Sequence, residues 1–263
     1  MIWIRVVLGL SAAALIAATV LMLIKSDKKI ISLSALITAG VGIALNLVVV
    51  ITNWVMNGYV PFISIYQVLA FVGVCFPLSF LFIYYVRKTK TSFAWFTLCE
   101  GVCMVGCEFM YSTMIWQRAP ALQSPFFLPH ILCYMLSYSL CAVAFVQTII
   151  LLVHRIKKAD GEVIAETEKV IYSLTITGFP FMVMGMFLGA IWANECWGTY
   201  WGWDPKETWA LITTCLYALY FHIRKHKFFK EALIPVLILA FLCLIMTFVG
   251  INLFGLNALH SYS

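Results

Sequence analysis

Five of the chain's nine tryptophans fall close together, at Trp192, Trp197, Trp201, Trp203 and Trp209. Four of them punctuate the string Trp-Gly-Thr-Tyr-Trp-Gly-Trp-Asp-Pro-Lys-Glu-Thr-Trp. An indole offers a large flat apolar face and a single hydrogen-bond donor. Gly198 and Gly202 let the backbone approach whatever lies on those faces. The natural guest of such a surface is a flat aromatic cofactor. The competing reading is an aromatic belt at a membrane boundary, but a belt scatters its rings and does not cluster them around glycines.

The histidines supply metal-ligand chemistry. His130 opens an apolar run directly after Pro129, and His260 lies just beyond the last such run. Two imidazoles on one side of a membrane, beside an aromatic platform, are what axial ligation of a haem iron requires. His222 lies 18 residues after Asp204, roughly 27 Å along a helix, too far to serve the same ligand. It is either snorkelling at the far boundary or the mark of a second haem site. His154 and His226 sit in basic clusters and read as solvated.

Around the tryptophans, Asp204, Pro205 and Glu207 read as a helix start, with an N-cap, a proline at the first helical position and an acid three residues after the cap. A helix N-terminus with Lys206 beside it attracts carboxylates, so Lys206 could meet a porphyrin propionate or simply snorkel to water. Glu100 and Glu108, inside an apolar run, share nearly one helical face. They fit a functional role or hydrogen bonding between helices. Cys99, Cys103 and Cys107 form a stripe at four-residue spacing, read as small residues on a packing face. The nine cysteines contain no C-x-x-C and no C-x-x-C-H, which excludes a thioredoxin-like reductant and a c-type cytochrome.

The elements that must position these groups are membrane helices. Hydrophobic residues make up 63% of the chain and charged ones 11%, with mean hydropathy +0.99, against an apolar share of about half in soluble domains. Runs long enough to cross a hydrocarbon core, ~20 residues each, occur at 2 to 24, 30 to 52, 62 to 86, 92 to 115, 128 to 153, 171 to 193, 205 to 223 and 232 to 254. The expectation is an all-α polytopic protein of about eight spans, forming one membrane domain over 1–263, with no internal repeat. The first run is too long for a signal h-region and is followed by Lys25, Lys28 and Lys29, which reads as a retained span.

Fourteen of the 17 basic residues fall in alternate connections, around 25–29, 87–90, 155–169 and 224–230. The positive-inside rule then places both termini, the tryptophan loop, His130 and His260 outside. The connection 154–170 is charged and reads as a solvated inner loop.

With Ala193-Asn194-Glu195 before it, the string Trp197 to Trp209 resembles the tryptophan-rich "WWD" signature of haem-handling proteins. Its ending is similar to the CcsA (ResC) branch of system II cytochrome c biogenesis; the CcmC and CcmF branches carry different residues after the Asp. Pro120 to Ser124, leading to His130 and then Ser137-Tyr138, resembles the stretch holding the family's first external haem-ligand histidine. The tail from Asn252 to His260-Ser261-Tyr262 resembles the stretch holding the second, and Tyr220-Phe221-His222 the place of the transmembrane histidine. Gly58, Pro61 and Tyr66 resemble an early outer-loop pattern, but Gln67 stands where an acid is expected. The likeness covers about 58–262.

That resemblance implies a haem path in a bacterial cytoplasmic membrane. Haem b would enter near His222 and be presented outside between His130 and His260. Trp192, Trp197, Trp201, Trp203, Asp204, Lys206 and Trp209 would line the platform. There the haem would be joined to the C-x-x-C-H thiols of an apocytochrome c, with thiol-reducing proteins as possible helpers. A CcsB (ResB) subunit would be the partner in a shared haem lyase and supply the inner site's second histidine. The protein's part would be placement of haem beside the thiols, the reactivity being that of the haem and cysteines. A haem carrier without ligation activity, CcmC-like, and a transporter of another aromatic ligand such as a quinone are the alternatives.

Overall fold

The computed structural model describes residues 2–24, 29–111 and 120–250. They form eight α-helices and no strand among the described residues. The chain divides into two compact units, Met1–Arg118 and Ala119–Ser263.

In the first unit α1 (Ile2–Leu23) packs on α2 (Lys29–Asn57) and α4 (Ala94–Met110), and α4 on α3 (Ile65–Leu81). Ile4, Leu8, Leu15, Val49, Tyr66, Ala70 and Met104 make its core. Polar bonds also cross between helices: Asn46 donates to Glu100 at 3.1 Å, and Arg5 meets Glu108 at 3.2 Å. Both acids are thus bonded between helices, the second of the two readings above. Cys99 and Cys107 are buried, and the Cys107 thiol points at the Tyr66 carbonyl, in keeping with a packing stripe. Gln67 completes a capping box with Ser64 at the start of α3; an amide serves that purpose as well as an acid.

In the second unit α5 (Phe127–Ile156) runs along α6 (Gly161–Trp197), and α8 (Leu233–Ile245) packs on α5 and α7 (Pro205–Ile223). The 37 residues of α6 span roughly 55 Å, well beyond the expected 171 to 193. The connection read as a loop is therefore mostly helix. Asp160 caps α6 through the Glu162 N–H. The charges of its first turns are used in pairs, Arg155 with Glu168 at 2.9 Å and Lys169 with Glu166 at 3.6 Å. His154, expected in solvent, is half-buried with Nδ1 3.4 Å from the Thr167 hydroxyl.

Large apolar side chains face outward along these helices, among them Ile30, Leu33, Val55, Phe109 and Phe187. Water would penalise such a surface and hydrocarbon does not. Among the described residues, six helical segments are long and apolar enough to cross a membrane: Trp3–Leu23, Lys29–Asn57, Ile65–Val86, Phe127–Ile156, Gly161–Trp197 and Phe228–Gly250. The molecule is an integral membrane protein. Of the eight expected spans, the two on α4 and α7 fall outside this set. α4 has 17 described residues and carries two glutamates, while α7 has 19 and carries Lys206, Glu207, several threonines and His222.

Candidate haem-handling site

The site is built where α5 begins and α6 ends. His130 stands in the first turn of α5, and its Nδ1 lies 2.8 Å from the Gly185 carbonyl of α6. A carbonyl only accepts, so Nδ1 carries a proton, and in the neutral ring the lone pair falls to Nε2, as it does in metal-ligating imidazoles. The ring stacks on Trp192, centroids 5.7 Å apart at 28°, and meets the edge of Tyr134 at 5.1 Å.

Trp192 is a buried residue of α6, not a loop residue. Its Nε1 donates to the Ala121 carbonyl at 2.7 Å, which the Cys196 thiol also approaches at 3.5 Å. The Ser124 hydroxyl donates to Glu195 at 2.6 Å. Segment 120–124 is thus tied to the C-terminal end of α6, and Trp192 forms a wall behind His130. Trp197 meets Trp192 edge-on at 5.1 Å.

Beyond Trp197 the helix ends at Gly198, whose φ of +77° is the left-handed conformation glycine adopts freely and whose N–H returns to Asn194. In the short segment that follows, Trp203 and Tyr200 are exposed, Trp201 half-buried, and Trp201 and Trp203 meet edge-on at 5.7 Å. Trp203 has φ +55°, a strained value for a bulky residue. The start of α7 secures this turn. Glu207 accepts from the N–H groups of Gly202 (2.9 Å) and Asp204 (3.2 Å), and buried Asp204 accepts from the Lys206 N–H (2.8 Å). Trp209 follows, half-buried, on the first turns of α7. Lys206, at the loop end and outside the six crossing segments, is half-buried; that burial pulls its ammonium down to about 8, with Asp204 pulling back up.

His222 sits in the last turn of α7, exposed, with Nδ1 donating to the Ala218 carbonyl at 2.8 Å. His260 lies outside the described residues. The structure therefore joins His130, Trp192 and Trp197 in one cluster, joins Trp201, Trp203, Asp204 and Lys206 in another around the α7 cap, and sets His222 at the opposite end of that helix. Sequence reading missed Tyr134, Gly185 and Ala121. Tyr134 was visible as one turn after His130, whereas backbone carbonyls leave no trace in side-chain types.

These features define a class: an all-α polytopic membrane protein with an imidazole and clustered indoles at one helix end. The chain matches the family described as Cytochrome C assembly protein over residues 5–259, across both compact units, and it belongs to that family. It is similar to the cytochrome c biogenesis protein CcsA of Chlamydomonas reinhardtii, 34% identical over 86% of this chain and 67% of the relative. It is also similar to CcsA of Pyropia yezoensis, 30% identical over 88% and 86%, and of Nymphaea alba, 32% identical over 81% and 80%.

Proposed function

We propose that this protein presents haem on the outer face of a bacterial cytoplasmic membrane for covalent attachment to apocytochrome c, as one half of a haem lyase whose other half is a CcsB (ResB)-like subunit. Haem b is the cargo. His130 and His260 are its axial ligands outside, and Trp192, Trp197, Trp201, Trp203 and Trp209, with Asp204 and Lys206, hold and orient the macrocycle. The observation that carries the reading is His130 itself, an imidazole with its proton committed to Gly185 and its ring backed by a buried indole.

His222 likewise commits Nδ1 to a backbone carbonyl and stands exposed at the other end of α7. This supports an inner haem site completed by a histidine from the partner. Family membership and the CcsA relatives support the role in cytochrome c maturation. Each thioether forms by addition of a cysteine S–H across a haem vinyl group, so the sulfur gains a carbon, the proton goes to the neighbouring carbon and nothing leaves. The chain's contribution is to hold vinyl and thiol together, a proximity effect.

The test is an absorption spectrum of the protein purified with its partner from haem-replete membranes, then addition of a C-x-x-C-H peptide under reducing conditions. A low-spin six-coordinate iron, perturbed by His130→Gly and by His260→Gly and depleted by His222→Gly, is the expected result, with haem appearing on the peptide. Haem that stays off the peptide would make the protein a carrier. Ligand content and spectrum unchanged in the His130→Gly/His260→Gly double variant would point to another aromatic ligand.

A further inference from the structure

Behind His130 the structure leaves room for the ring by omitting a side chain. Gly189 follows Gly185 by one turn on α6, and a Cβ placed on Gly189 would stand 2.6 Å from both Cε1 and Nδ1 of His130. Ordinary carbon contacts lie near 3.5–4.0 Å, so a methyl group there would have to move the ring by about 1 Å. The other sides give it little freedom. Trp192 stacks against it, Tyr134 meets it edge-on, and Nδ1 is held by Gly185. Gly185 in turn makes room for Tyr134, whose Cδ2 would lie 3.0 Å from an added Cβ.

We infer that Gly185 and Gly189 are positioning residues for His130: the bare Cα of Gly189 lets the imidazole lie against the α6 backbone, and the Gly185 carbonyl sets its proton on Nδ1 so that Nε2 faces the iron. The inference rests on the reading of His130 as an iron ligand. A ligand displaced by about 1 Å exceeds the ~0.5 Å tolerance of a working site. Small residues also serve plain helix packing, and Gly178 provides the comparison. It lies on the same helix against α5, where the atoms nearest an added Cβ would be Leu140 Cβ at 3.3 Å, the Ser137 carbonyl at 3.4 Å and the Cys141 sulfur at 3.6 Å.

The experiment compares absorption spectra of the full chain with its partner, purified from haem-replete membranes, as parent, Gly189→Ala, Gly178→Ala and His130→Gly. In Gly189→Ala most of the haem should pass from the low-spin to a high-spin spectrum, as in His130→Gly, where added imidazole should restore the low-spin form. Gly178→Ala should keep the parent spectrum at whatever level it accumulates. Gly189→Ala with the parent spectrum overturns the positioning role while leaving His130 as ligand. His130→Gly with the parent spectrum overturns the ligand reading itself and this inference with it. If Gly189→Ala fails to accumulate, the His130→Gly/Gly189→Ala double variant should recover, because the clash is gone; continued failure assigns Gly189 to helix packing and overturns the inference.

Discussion

The indole of Trp192 does two tasks at once, walling His130 and tethering segment 120–124 through the Ala121 carbonyl. Trp192→Phe keeps much of the wall and removes the donor, so it should cost about 1 kcal/mol, read as a lower unfolding temperature in detergent, with only a modest change in the haem spectrum. A spectrum changed as much as by His130→Gly would mean that the bond to the Ala121 carbonyl, and not the ring face alone, holds the imidazole in place. Lys206 gives a pH prediction. With its pKa lowered to about 8, Lys206 carries its charge below that pH and loses it above. Haem retention should therefore weaken as pH rises through that value, and Lys206→Arg, charged at every such pH, should flatten the dependence. A parent curve as flat as the arginine variant's would take Lys206 out of propionate binding.

At the scale of elements, the start of α7 is the feature most fully readable from sequence, because Asp204, Pro205 and Glu207 act on their own neighbours. The structure adds that Glu207 also gathers the Gly202 N–H, so the cap extends back into the tryptophan turn. Asp204→Ala should cost about 1 kcal/mol, measured by thermal unfolding, whereas Asp204→Asn should stay near the parent. Equal losses in both would mean that the carboxylate's charge rather than its capping oxygen is needed. The start of α6 was not readable in the same way. The residues from Glu162 to Lys169 look like a solvated loop by composition, and only their pairing with Arg155 and with one another reveals a helix. The seat of His130 was hidden for a different reason. Gly185 lies 55 residues away, and the α5–α6 register that brings it to the ring follows from packing along two long helices.

For the whole molecule, apolar composition made the membrane class plain, and the outward-facing Ile30, Val55 and Phe109 agree with it. The number of crossings is less direct, since α4 and α7 dilute their apolar residues with groups that bond to neighbouring helices or cap a turn. Reporter fusions would count them. A reporter active only outside the cytoplasm should work when inserted after Gly58 or Thr199 and be silent after Ala159 and after Lys225, as eight crossings require. Activity after Ala159 would invert the topology and move His130 to the inner face.

The tryptophan turn is hydrogen-bonded at both ends, to Asn194 behind Gly198 and to Glu207 ahead of Asp204. A segment so short and so anchored is tied to the helix ends on both sides of it. On the proposed reading, cargo resting there would lie on a platform set by the ends of α6 and α7, so an acceptor would approach it from the face where Tyr200 and Trp203 are exposed.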